Sequence, residues 1–416
     1  TTSTHQKNNV HPESIRRVIH AYAKVEANLM KHETGFPDAN SLLLLVKQGI
    51  PEYGMKGVGE GKDSQGSDWI IKILEESDDR PLWICVWGGP NTLAQALYKI
   101  RKTRSETETK RLIAKLRVYT ISDQDDSGIW IRKNFPDLFY IVSPGGYGNS
   151  TWIAINQFVP GINNDVISNK WLAQNIQQNH GPLGAIYPDV AYGMEGDTPS
   201  WLSLIPNGLN NAEHPDWGGW GGRYELYQPE YSSLDTAGFT GGVPVEPEPR
   251  AIWTNAVDRF VPFVFNEYGR AIRRDTVTFN NNKATLFRWR EDFQNDFAAR
   301  MDWTTKQYQE ANHPPVPALG HPEQITVKSG EIFRLDASGT TDPDGDNISY
   351  LWFQYPEAGS YKKSIEFVSA ENLYKVYVKA PGVEKNETDH FILRVTDKSK
   401  PPLSRYKRVI VNIMPK

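Results

Sequence analysis

The sequence predicts an α/β half with a mostly parallel sheet, followed by an all-β half built as a sandwich. Three observations carry that expectation. Residues 81–100 hold a continuous apolar run, Leu82-Trp83-Ile84-Cys85-Val86-Trp87, then Gly88-Gly89-Pro90, then Leu93, Ala96, Leu97 and Ile100 spaced three and four apart. This is strand, turn and helix, and the uninterrupted run reads as a strand buried on both faces. Further short apolar strands alternate with helical patterns as far as Val142, the order of a parallel sheet with crossover helices. Beyond a proline-rich stretch, Ala311-Asn312-His313-Pro314-Pro315-Val316-Pro317, the pattern becomes about seven short alternating strands in roughly a hundred residues, the spacing of an immunoglobulin-like sandwich.

The elements follow in order. His11-Pro12-Glu13 opens a helix carrying Ile15, Val18, Ile19, Tyr22, Val25 and Leu29, which stops near Gly35-Phe36-Pro37. A second helix is expected over 39–48, and a third, capped by Ser67, runs through Leu74. Asn91 and Thr92 can cap the helix after the central strand. A charged helix over 105–116 leads into the strand 116–121, which empties into Ser122-Asp123-Gln124-Asp125-Asp126-Ser127-Gly128. A helix over 128–135 and a strand over 138–142 end in Ser143-Pro144-Gly145-Gly146. From about 147 to 250 the periodicity fades into long loops, with short helices expected over 171–179 and 200–204. Residues 250–273 and 285–310 read as helical. Strands are expected over 324–328, 332–336, 349–355, 364–367, 373–379, 389–396 and 407–414. The division is therefore 1–312 for the α/β domain, 313–318 for the linker and 319–416 for the sandwich.

Composition narrows the function. Lys plus Arg number 46 against 50 Asp plus Glu, a net charge of -4, so no positive excess is available to hold a nucleic acid polymer. The lone cysteine, Cys85, rules out an intramolecular disulfide and reads as a small core residue. No apolar run is long enough for a membrane span and none is signal-like. The chain opens Thr1-Thr2-Ser3-Thr4 without a methionine, which reads as processing, cleavage or an unrepresented upstream stretch. The composition leaves an oligomer open. Many of the 13 Trp and 19 Tyr stand among Gly, Asn, Asp and Pro, a setting that suits sugar rings and equally suits the wedging of long loops.

Several constellations carry chemistry, each with a plainer alternative. Glycine turns at the carboxyl ends of parallel strands are where ligands bind in such sheets, which places the Asn91 region and the Asp123 loop at a cleft. Asp123, Asp125 and Asp126 would serve a cation or sugar hydroxyls there, or simply cap the next helix. Glu195 and Asp197 stand two apart on a glycine-flexed turn, the proximity a general base and a metal ligand need, and also a capping pattern. Trp217 and Trp220 could stack on sugar faces while Asp216, His214 and Arg223 bond hydroxyls, or they anchor the loop. Asp342-Pro343-Asp344-Gly345-Asp346 lacks the glutamate of a calcium loop and reads as a tight inter-strand turn. Zinc, P-loop and serine-hydrolase signatures are absent.

Taken together, Gly88-Gly89-Pro90-Asn91-Thr92-Leu93-Ala94-Gln95-Ala96-Leu97 resembles the strand-turn-helix of nucleoside hydrolases, which implies a Rossmann-like sheet. Lys7-Asn8-Asn9-Val10 is similar to that family's Gly-Asn-Val, and Asn9 takes the position of the asparagine that contacts ribose. Asp197 matches the late aspartate that ligates calcium, although Gly196 stands where the family has histidine. The wider resemblance is to secreted bacterial proteins labelled cellulose-binding, with a nucleoside hydrolase-like domain followed by a sandwich. It rests on Gly66-Ser67-Asp68-Trp69-Ile70, Trp87-Gly88-Gly89-Pro90-Asn91, Glu195-Gly196-Asp197-Thr198-Pro199-Ser200-Trp201 and Asp216-Trp217-Gly218-Gly219-Trp220-Gly221-Gly222-Arg223. It continues in Leu335-Asp336-Ala337-Ser338-Gly339 and the 342–346 turn, a string also found in polycystic-kidney-type domains. The resemblance implies a hydrolase of an N-linked or O-linked glycosidic bond, assisted by calcium, with Asp197 a ligand and Glu195 the catalytic acid/base. Asn9, Asn91, Asp123, Asp216, Trp217, Trp220 and Arg223 would contact a nucleoside or carbohydrate, and the protein would be secreted or periplasmic, its signal peptide outside this chain. The family's first strand and its aspartate-rich calcium motif have no counterpart before Asn9, so the domain would be inactive or depend on upstream residues. The alternative is a carbohydrate-binding protein that keeps the cleft and drops the chemistry.

Overall fold

The structure is a computed structural model that describes residues 10–149, 151–190, 194 and 196–416. Helices α1 (Pro12–Tyr22), α2 (Glu26–Leu29) and α3 (Ala39–Leu45) come first, α1 with Pro12 in its first turn. Helix α4 (Gln65–Glu75) is capped by Ser64, not Ser67. The two serines form a reciprocal capping box, the Ser64 side chain accepting the Ser67 N–H at 3.1 Å and the Ser67 side chain accepting the Ser64 N–H at 2.9 Å.

The central unit forms as expected, with β1 (Leu82–Cys85) followed by α5 (Asn91–Thr103). Helix α6 (Glu106–Lys115), β2 (Leu116–Tyr119), α7 (Ser127–Asn134) and β3 (Phe139–Ile141) continue the alternation. With β4 (Tyr224–Tyr227) and β5 (Ile252–Asn255) they build one sheet in the order β1-β2-β3-β5-β4, parallel throughout except for β4. Strand β1 lies at the sheet's edge among the described residues, so its four residues are half-buried and not enclosed on both faces. Its Cys85 thiol donates to the Ser200 carbonyl at 3.2 Å, and burial raises the thiol pKa.

Residues 250–273 are strands where a helix was expected. After β5 come two antiparallel ribbons, β6 (Asp258–Phe260) with β9 (Phe279–Asn281), and β7 (Phe263–Phe265) with β8 (Ala271–Arg274). Pro262 cannot sit inside a helix and Gly269 turns the chain at φ 67, so the aromatic residues between them alternate across a ribbon instead.

The second half has β10 (Gln324–Lys328), β11 (Ile332–Asp336), β12 (Ile348–Gln354), β13 (Glu366–Phe367), β14 (Lys375–Lys379), β15 (Glu387–Asp397) and β16 (Ser404–Met414). They form two sheets, β10-β16-β15-β12 and β11-β14-β13, antiparallel except for β10 on β16. In the 342–346 turn Asp342 Oδ1 accepts the N–H groups of Asp344 and Asp346 at 2.9 and 3.1 Å, as an inter-strand turn requires.

Strand β12 is apolar on both faces. Trp352 points into the sandwich core with Phe391, Leu393 and Val411. Leu351 and Phe353, on the opposite face, enter a second core with Trp220, Trp289, Phe293 and Leu202 of the first half, joined there by Tyr355 and Tyr406. The alternation of a strand thus feeds two cores. Polar groups lock the same seam. Buried Asp258 accepts from Arg223 Nε (2.7 Å), Arg288 Nη1 (3.0 Å) and the Tyr355 hydroxyl (2.6 Å). Asp292 takes Arg394 Nη2 at 2.5 Å, the Ser404 hydroxyl at 3.1 Å and the Tyr406 hydroxyl.

Candidate functional site

The strand β2 runs into a strained turn. Ile121 has φ 61, a left-handed conformation unfavourable for a β-branched residue, and such strain persists where the surroundings over-determine it, commonly at functional sites. The loop behind it is held from below by glycines. Asp125 is fully buried, its Oδ1 accepting the Ser127 N–H at 2.8 Å and the Ser127 hydroxyl, while Oδ2 has no hydrogen-bond partner in the structure. A side chain at Gly89 would place its Cβ 2.0 Å from that oxygen. The Gly88-Gly89 turn therefore closes directly over the carboxyl. Burial, aided by the charges of Asp126 and Asp123, pushes the Asp125 pKa up to about 7.

The neighbouring acids are committed. Asp126 Oδ1 accepts the Met55 N–H at 2.8 Å beneath Gly54, and Asp123 pairs through both oxygens with Arg132 at 2.8 and 2.7 Å. Arg132 is buried and also grips Glu248 at 2.7 Å. Tyr53 and Tyr147 stand over this loop, and burial together with the nearby aspartates raises both hydroxyl pKa values. Gln124 Nε2 reaches Asp197 Oδ2 at 3.1 Å, tying the loop after β2 to the segment around 194–202.

That segment walls a cavity of about 350 Å³ at the end of β1, lined by Trp87, Tyr187, Met194, Trp201, Phe293 and Phe297 among others. Trp87 and Trp201 are 49% and 41% exposed, so their rings are available to a ligand. The Trp87 indole is fixed, its Nε1–H donating to Ser200 Oγ at 2.9 Å, and the Ser200 hydroxyl in turn donates to the Asp197 carbonyl at 2.8 Å. Acidic loop and aromatic cavity thus share two connections, the 87–89 turn and the 197–201 turn, at the carboxyl ends of parallel strands. A flat aromatic wall with a few polar side chains, here Thr198 and Gln294, is the chemistry that receives a sugar ring.

The expected residues are distributed unevenly around this site. Asn91, buried at the start of α5, donates to the Glu52 carbonyl at 2.7 Å and leaves Oδ1 without a hydrogen-bond partner. Asn91, Asp123 and Asp197 lie on elements of the sheet's carboxyl end. Asn9 and Glu195 lie outside the described residues. The loop at 214–223 is corrected. Trp220 is fully buried against Phe293 and Tyr406, and Arg223 is buried on Asp258. Both face the second half, because the shared core needs a large apolar ring and a buried carboxylate needs a cation. Trp217 stacks on His214 at 4.0 Å and meets His390 edge-on, so its faces are taken, while Asp216 stays partly exposed beside His214. The ring-presenting tryptophans are Trp87 and Trp201. One closes the apolar run of β1 and the other follows the Thr198-Pro199 helix start, and their places at strand end and helix start were the available signal.

The calcium implied by resemblance has Asp197 as its one expected ligand here. Among the described residues no three metal-binding side chains converge at this edge, and Asp197 is bonded to Gln124, so the described residues do not by themselves fit the ion. No described helix is long and apolar enough to cross a membrane.

Residues 332–413 match the family described as "Cellulose-binding protein Sde0182, C-terminal domain", and residues 1–224 match "Cellulose-binding Sde182, nucleoside hydrolase-like domain". Among solved structures, a nucleoside hydrolase-related hypothetical protein from Saccharophagus degradans, associated with carbohydrate metabolism, is 33% identical. The alignment covers 100% of this chain and 91% of that one, with a TM-score of 0.79. The PKD domain of the KIAA 1837 protein is 22% identical over 24% of this chain and 88% of its own, with a TM-score of 0.18. No curated protein matches the chain. The chain belongs to the cellulose-binding Sde182 family, with a nucleoside hydrolase-like α/β domain leading and the family's C-terminal domain behind it.

Proposed function

We propose that the protein binds a carbohydrate at the carboxyl end of its parallel sheet, sugar rings lying on Trp87 and Trp201 and hydroxyls reaching the acidic loop. The aromatic cavity beside that loop carries this reading. The family's description points to cellulose and the solved relative's to carbohydrate metabolism, so β-linked glucans are the first ligands to test, and a polysaccharide ligand fits an exported protein. Titration with soluble cello-oligosaccharides is expected to give saturable binding. Trp87→Ala and Trp201→Ala should each weaken it about tenfold, since one aromatic contact is worth about 1.5 kcal/mol. Unchanged affinity in both variants would sink this placement of the ligand.

Hydrolysis of a glycosidic bond is the second reading, and Asp125 favours it. Carboxyls whose pKa is pushed towards neutrality by burial beside like charges concentrate at catalytic sites. In this reading Asp125, fully buried beneath Gly89, is a positioning residue that holds a proton under the 87–89 turn, Glu195 serves as acid/base, Asn9 and Asn91 contact the sugar, and calcium would bind Asp197 together with residues outside those described. Asp125 also makes a stability prediction. Between the ordinary carboxylate pKa of about 4 and about 7, the folded chain holds a proton that the unfolded chain has lost, so stability falls as pH rises through that window. The change is on the order of a few kcal/mol. Denaturant titrations should show the slope in the native protein and a shallower one in Asp125→Asn, whose side chain stays neutral, the remainder coming from Asp389 and Asp397, which burial also raises to about 8 and about 6. If hydrolysis occurs, the same variant should lose turnover of aryl glycosides or nucleosides while retaining glycan binding. Absence of turnover in the native protein leaves binding as the function.

A further inference from the structure

Three side chains that the carbohydrate site does not use form a hydrogen-bonded chain across three parts of the fold. His32 lies in the turn after α2, His313 in the proline-rich stretch, and Asp344 in the turn between β11 and β12. His32 Nε2 is 2.9 Å from the Lys306 carbonyl and His32 Nδ1 is 2.9 Å from His313 Nε2. His313 Nδ1 is 2.9 Å from Asp344 Oδ1, and the His313 backbone N–H donates to Oδ2 at 2.6 Å. Both rings are buried, 9% and 4% exposed. His32 lies parallel to Trp303 at 5.4 Å and His313 stacks on Tyr308 at 3.8 Å, so the rings are held in place by aromatic neighbours.

The geometry fixes a proton count. A carbonyl oxygen only accepts, so the link to Lys306 needs a proton on His32 Nε2. The link between the rings needs one proton, and the link to Asp344 needs another. Three links require three protons, whereas two neutral imidazoles carry two. The third is shared along the chain and balanced by the Asp344 carboxylate, leaving the trio with no net charge. Removing that proton leaves one link as two facing acceptors. Adding a fourth sets two N–H groups against each other between the rings. We propose that Asp344, His313 and His32 act as a proton-counting clasp, which fastens the turn after α2, the proline-rich stretch and the sandwich together within one pH window and loosens on either side of it.

The surroundings set the two limbs. Burial lowers the pKa of His32, with Lys31 and the neighbouring His313 adding to the effect, and this keeps Nδ1 an acceptor. The acid limb therefore falls below the ordinary histidine value of about 6.5. Asp342 and Asp346 share the Asp344 turn, and Tyr308 covers His313. Asp397 reaches the same stretch through Asn312 at 3.1 Å, and the Lys306 ammonium is occupied by Asp302.

Histidine-labelled protein of the full chain tests the count by nitrogen NMR of the imidazoles from about pH 5 to about pH 9, with His32→Gln assigning the signals. The expected result is one ring protonated at both nitrogens beside one protonated at Nε2 alone, the pattern vanishing at both extremes. Proteolytic cleavage within 311–317 should rise at the same two extremes and lose this dependence in His32→Gln. Two neutral rings titrating independently would overturn the proposal, as would cleavage that changes in one direction only. If His32→Gln fails to fold, the native protein's spectrum and cleavage profile decide.

Discussion

Asp258→Ala is expected to destabilise the protein by about 3–5 kcal/mol, the cost of leaving a buried cation without its anion. Asp258 is fully buried and gathers Arg223 and Arg288 from the first half and the Tyr355 hydroxyl from the second. Removing the carboxylate strands the Arg288 guanidinium and the Tyr355 hydroxyl in a seam lined by Trp289, Phe353 and Tyr406, and leaves Arg223 to Glu225 and the Val257 carbonyl. Asp258→Asn should cost less, since the amide still accepts one hydrogen bond but no longer neutralises charge. Chemical denaturation checks both. A loss under 1 kcal/mol for the alanine variant would mean that the seam opens to water in solution.

Gly89→Ala should have the second large effect, at the functional site itself. The added methyl would sit 2.0 Å from Asp125 Oδ2 and 2.4 Å from its Cγ, distances that no rotamer of a buried, doubly bonded aspartate can relieve without moving the loop. Overpacking of this kind costs about 1–3 kcal/mol or more. It should also displace Trp87, two residues away, and so reduce glycan affinity by at least the roughly tenfold expected for losing the ring outright. Calorimetry and oligosaccharide titration on the same sample separate the two losses. Native-like affinity with lowered stability would show that the turn supports the fold alone.

Much of this architecture was legible in the residues. The Leu82–Trp87 run, the glycine turn and the helical spacing behind it located the carboxyl end of β1, and the alternating strands after Pro317 located the sandwich. The misreadings have two causes. Trp220 and Arg223 are a large ring and a charge among glycines, a composition that suits a ligand surface and an internal seam equally well, whereas 250–273 form strands against the expected helix because Pro262 and Gly269 interrupt it. A sequence does not show that a second half arrives to cover Trp220 and Arg223. The aromatic wall was hidden for the opposite reason, since Trp87 reads as the end of a buried run until β1 is found at the edge of the sheet.

The doubly covered sheet of the second half also bears on how the chain is made. Strand β16 contributes Tyr406 to the core shared with the first half, and Arg405 and Arg408 to Asp296 and to the Leu209 and Gly218 carbonyls. All three residues follow every α/β element in the chain. During synthesis the first half, complete near residue 312, therefore emerges with Trp220, Leu202 and the acids at 292 and 296 uncovered, and it waits for about a hundred further residues before strand β16 buries them. At ribosomal rates of about 5–20 residues per second, that interval is roughly five to twenty seconds, during which the nascent chain carries an open apolar face of the kind that favours aggregation.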